Sequence, residues 1–66
     1  MKREKYAVLT SNSGLFVERG FFKNKDDAEK YYYELMNVRD STFDEIYIIE
    51  YSDDFKNYEC IKHYSW

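Results

Sequence analysis

Sixty-six residues with 13 acidic and 10 basic side chains, a net charge of −3 and 21% aromatic content describe one small domain with room for a single core. The lone cysteine excludes an internal disulfide, and one cysteine with one histidine falls short of the four ligands that a structural zinc takes. The mildly acidic, interleaved charge argues against a general DNA binder, whose affinity rests on Lys and Arg neutralising phosphates. No run approaches the roughly 20 apolar residues of a membrane span.

Met1-Lys2-Arg3-Glu4-Lys5 is charged, but too short an apolar run follows it to form a signal peptide, and the unpaired cysteine suits a reducing compartment. Both point to the cytoplasm. Tyr6-Ala7-Val8-Leu9-Thr10 then reads as a strand, Ser11-Asn12-Ser13-Gly14 as a tight turn, and Leu15-Phe16-Val17-Glu18-Arg19 as the returning strand of a hairpin. Gly20 before Phe21-Phe22 has the placement of a β-bulge or bend.

The next segment predicts a helix. Asn24 stands at its N-cap, and Asp26 and Asp27 sit in the first turn, where carboxylates meet the positive end of the helix dipole. Ala28, Tyr31, Tyr32, Leu35 and Met36 recur at helical spacing and form one apolar stripe. Glu29, Lys30, Tyr33, Glu34 and Asn37 fall on the other side, with Asp26–Lys30 and Lys30–Glu34 spaced as i,i+4 pairs. The end is expected near Val38 or Arg39, before Asp40-Ser41-Thr42.

Glu45-Ile46-Tyr47-Ile48-Ile49-Glu50-Tyr51 is rich in β-branched and aromatic residues and predicts a third strand. Ser52 to Asn57 form a turn, Tyr58 to Tyr64 alternate as a fourth strand, and Trp66 closes the sequence. The fold class is therefore α+β: a ββαββ order giving a four-stranded antiparallel sheet with one helix packed on one face, all in a single domain spanning residues 1–66.

One helix covers one face of such a sheet, so the other face should be polar at every second position. It is not. Tyr6 and Val8 oppose Ala7 and Leu9, Leu15 and Val17 oppose Phe16, Ile46 and Ile48 oppose Tyr47, Ile49 and Tyr51, and Tyr58, Cys60 and Tyr64 oppose Ile61. Monomers seldom expose large apolar patches, so the helix-free face is expected to be an interface, closed by a symmetric homodimer or by a protein partner. Phe16, Tyr33, Tyr47, Tyr51, Tyr64 and Trp66 are the candidate partner-binding residues, because Tyr and Trp concentrate at binding hot spots.

The chemistry-bearing residues form no recognisable catalytic set. Cys60 and His63 could pair as nucleophile and base, but residues three apart on a regular strand point to opposite faces. Asp26/Asp27 and Asp53/Asp54 have the positions of helix-start charges and turn formers, and the glycines are isolated, so neither a metal nor a phosphate site is indicated. No enzyme and no cofactor is expected.

The reading is a small non-catalytic protein-interaction module. The dominance of Phe, Tyr, Met, Ile, Asn and Lys over Gly, Ala, Arg and Pro reflects AT-rich codons. That bias suits a phage or mobile-element accessory or inhibitor protein that blocks a surface of a host protein. The alternatives are a single-stranded nucleic-acid binder stacking bases on Tyr47, Tyr51 and Phe16, and a nucleotide-binding sponge with its pocket between subunits. The acidic charge weakens the first, since stacking platforms normally sit in a basic field.

Overall fold

The computed structural model describes residues 4–38 and 43–65, which form four strands and one helix. Strands β1 (Tyr6–Asn12) and β2 (Leu15–Phe22) make the first hairpin. Its loop is only Ser13-Gly14, with φ of 53° and 87°. Two consecutive positive φ values mark a type I′ turn, whose twist matches that of the flanking strands. The strand accordingly runs two residues further than its apolar stretch implies: Ser11 is fully buried, and its hydroxyl donates to the Glu45 carboxylate at 3.2 Å.

Helix α1 (Lys25–Val38) begins as its sequence dictates. The Asn24 side-chain oxygen accepts the backbone N–H of Asp27 at 3.0 Å, satisfying one of the donors a helix start leaves open. Ala28 and Tyr32 are buried, with Tyr31, Leu35 and Met36 packed beside them, so the expected stripe faces the sheet. Among the described residues the i,i+4 ion pair is Lys25–Glu29, at 3.9 Å, in place of the two expected around Lys30.

Strands β3 (Glu45–Tyr51) and β4 (Tyr58–Ser65) form the second hairpin. In its turn, Ser52 N–H donates to the Asn57 carbonyl and Phe55 N–H to the Ser52 carbonyl, each at 2.9 Å. Asp54 accepts from the Ser52 hydroxyl and, at 3.0 Å, from the Lys56 backbone N–H. Those bonds hold its carboxyl below the usual carboxylate range, a turn-former's role.

The two hairpins join through β1 and β3, giving the order β2-β1-β3-β4 with every neighbour antiparallel. The ββαββ expectation therefore describes the protein. Val8, Ile46 and Ile48 project from the central strands onto Ala28 and Tyr32, and Phe43 completes the core. Each large apolar side chain buried there stabilises the fold by about 1.5–3 kcal/mol.

Both edge strands carry a bulge. On β2, Arg19 is the extra residue between the pairs Val8–Gly20 and Leu9–Glu18. Its Nε donates to the buried Thr10 hydroxyl at 2.8 Å, and its guanidinium lies 5.6 Å from the centre of the Phe43 ring. Gly20 sits in a tight space: a Cβ there would lie 3.1 Å from the Phe22 ring and 3.3 Å from that of Tyr31, so those rings would have to give by a few tenths of an ångström. On β4, Ile61 is the extra residue between Ile48–Lys62 and Ile49–Cys60. Ile61 packs against the helix-side core, and the residues beyond it change face relative to simple alternation.

Candidate binding face

The helix-free face is assembled from the residues that β1 and β3 turn away from the helix. Leu9 and the nearly buried Ile49 form its floor. Across the sheet from them, Cα pairing sets Glu18 opposite Leu9 and Cys60 opposite Ile49. Phe16 and Tyr58 stand at the two sides, 61% and 68% exposed. Together with Tyr47 these residues line a concavity of about 580 Å³.

Aromatic rings flank that floor at both ends. Toward the first turn, Tyr47 touches Phe16, with ring centres 5.4 Å apart, and stacks on His63 at 4.5 Å and 14° between planes. The His63 Nε2 lies 3.3 Å from the Glu45 carboxylate, which also accepts the Ser11 hydroxyl. Burial tends to raise the Glu45 carboxyl, but hydrogen bonds from Tyr47, Ser11 and His63, with the His63 charge, outweigh it and hold the group low. Burial, together with the adjoining Glu45 carboxylate, pushes the Tyr47 phenol up. At the other end Tyr51 meets Phe55 at 5.6 Å and Tyr58 at 6.3 Å. Phe21, 44% exposed, joins Tyr51 and Phe55 around a smaller hollow of about 300 Å³.

Of the six candidate partner-binding residues, the structure gathers Phe16, Tyr47 and Tyr51 on this face. Tyr33 is exposed on the flank of the helix that overhangs β4, where the Lys62 ammonium lies 5.5 Å from its ring centre. Tyr64 pairs with Ile46 and so lies on the helix side. This corrects its grouping with Tyr58 and Cys60, because the Ile61 bulge reverses the alternation between them. Trp66 lies outside the described residues.

The same bulge corrects the argument that separated Cys60 from His63. Cys60 pairs with Ile49 and His63 with Tyr47, so the two share the helix-free face despite their spacing. Each nevertheless has a different partner: the Cys60 thiol donates to the Lys62 carbonyl at 3.3 Å, while His63 sits on Glu45. No three metal-ligating side chains converge among the described residues. A second concavity, of about 430 Å³ at the end of the sheet, is lined by Glu50, Asp53 and Glu59 around Lys5, whose ammonium bridges Glu50 at 3.5 Å and Asp53 at 3.2 Å.

Glu18, Phe21 and Tyr58 complete the face and escaped selection as site residues. Alternation set Tyr58 beside Cys60 and opposite Ile61 but left open which side met the helix. Phe21 was obscured by the neighbouring bulge, and nothing local distinguishes Glu18 from any solvated strand carboxylate.

No helix among the described residues is long and apolar enough to cross a membrane. No protein-family model, curated protein or solved structure matches this chain.

Proposed function

We propose that this chain is a non-catalytic protein-interaction module whose helix-free sheet face is its contact surface. The observation that carries the reading is the exposure of Phe16, Phe21 and Tyr58 around an apolar floor of Leu9 and Ile49. Aromatic residues projecting from a rigid sheet offer large contact area at low entropic cost, the composition of an interface centre. The concavity at the sheet end holds one cation, Lys5, already bridged to Glu50 and Asp53 and outnumbered by the carboxylates around it, which disfavours a nucleotide sponge there. Glu18 among the aromatic residues disfavours a nucleic-acid platform for the same reason.

A homodimer would close the same face. The concavity carries a carboxylate and no Lys or Arg, so two copies meeting concavity to concavity would set Glu18 against its own twin, and we favour a different protein as partner. In the form we propose, a phage-encoded accessory or inhibitory protein of the cytoplasm, the domain acts by covering a surface of a larger protein.

The test is the double variant Phe16→Ser/Tyr58→Ser. Both side chains are mostly exposed, so melting should change little while capture of a protein from a bacterial lysate is lost. Capture that persists with the fold intact contradicts the proposal. Light scattering over a tenfold concentration range separates the partners: a constant monomer mass fits a different protein, and a dimer that the double variant dissociates reassigns the face to self-contact.

A further inference from the structure

The concavity on the helix-free face has a chemical bias beyond its apolar character. Three rings, Phe16, Tyr47 and Tyr58, line it together with a single charged group, the Glu18 carboxylate. Among the described residues Glu18 makes no ion pair or hydrogen bond, unlike Glu45, which His63 and Ser11 engage at the same face. Aromatic faces carry negative quadrupole charge and attract cations, a guanidinium most readily because it is flat and weakly hydrated. An aliphatic stem fits an apolar floor while its charged head stays at the rim.

Resting on the interaction reading, we propose that this concavity receives an arginine side chain of the partner protein, its stem on Leu9 and Ile49 and its guanidinium toward Glu18 and the ring faces. The attraction comes from one uncompensated negative charge beside three aromatic rings, with no Lys or Arg in the lining to repel the ligand. The partner segment is thus apolar with a basic residue at its centre. Neither a neutral apolar segment nor an acidic one gains from Glu18.

Backbone amide shifts of the full-length chain, titrated with n-hexylguanidinium, n-hexanol and n-hexanoate, test this directly. The guanidinium should shift Leu9, Phe16, Glu18 and Tyr47 at about tenfold lower concentration than hexanol, with hexanoate weaker still. Glu18→Gln, at an exposed and unpaired position, should keep the fold and the response to hexanol but lose most of the preference for the cation. Equal responses to guanidinium and hexanol, or an undiminished preference in Glu18→Gln, overturn the arginine assignment while leaving the face an apolar docking surface. Absence of any shift at the face overturns both.

Discussion

The two faces of this sheet are built from the same four strands and are both apolar, yet they meet different surroundings. On the helix side, Val8, Ile46 and Ile48 are fully buried against Ala28 and Tyr32. On the other, Leu9, Tyr47 and Tyr51 remain partly open and Phe16, Phe21 and Tyr58 exposed. Hydrophobicity alone therefore does not tell core from interface: it identifies surface that gains from leaving water, and the single helix decides which half is covered within the chain. Aliphatic β-branched residues dominate the covered half and aromatic ones the open half. A core needs shape-matched packing, whereas rings can bury area against a partner without loss of much side-chain freedom.

The difference should be largest under truncation. Ile48→Ala leaves a cavity among Val8, Ile46 and the helix and should cost about 2–5 kcal/mol, comparable to the whole stability of a domain this small. Tyr58→Ser on the open face should cost well under about 1 kcal/mol. Urea denaturation of both variants checks the contrast, and a Tyr58→Ser loss as large as that of Ile48→Ala would show the open face to be part of the core. An intermediate effect is expected at the helix start. Asn24→Ala removes the cap on Asp27 N–H and should cost about 1 kcal/mol, while leaving amide shifts on the helix-free face unchanged.

The smallest effect is one of pH and belongs to the open face. Hydrogen bonds from Tyr47, Ser11 and His63 set the Glu45 carboxyl below its unfolded value, so the folded state holds the proton less tightly than the unfolded chain. The stability from this group is fully present above the ordinary carboxylate pKa and lost as pH falls through the lower folded one. The advantage of wild type over Glu45→Gln should accordingly shrink as pH drops below about 4.5 in denaturation series. A constant difference down to acid would mean that the Glu45 cluster does not form.

Much of this architecture was legible in the sequence because it is set locally. The Asn24 cap, the stripe from Ala28 to Met36 and the alternation of Ile46 to Tyr51 each fix one element and its inward face. Gly20 announced the first bulge, and the rings of Phe22 and Tyr31 close tightly on the space its missing side chain leaves. The second bulge had no such mark: Ile61 is an ordinary strand residue, and its displacement follows from pairing with β3 and packing against the core. That one insertion turned Tyr64 to the helix side and brought His63 round to share a face with Cys60. The pairing of β1 with β3 was equally hidden, being a contact between segments almost forty residues apart, and with it went the role of Ser11 beside Glu45. The aromatic face itself was foreseeable from alternation, but its concavity and the isolation of Glu18 depend on how all four strands are ordered.

Cys60 allows the most direct test of the contact surface, because it is the sole cysteine and it lines the concavity. A photoactivatable benzophenone attached to its thiol, and in a Cys60→Ser background to a cysteine replacing the exposed helix residue Lys30, would report what approaches each face in a cell lysate. Covalent adducts to another protein should form from position 60, and few or none from position 30. Adducts from the helix position alone, or equally from both, would contradict the assignment of the helix-free face as the surface through which this protein acts.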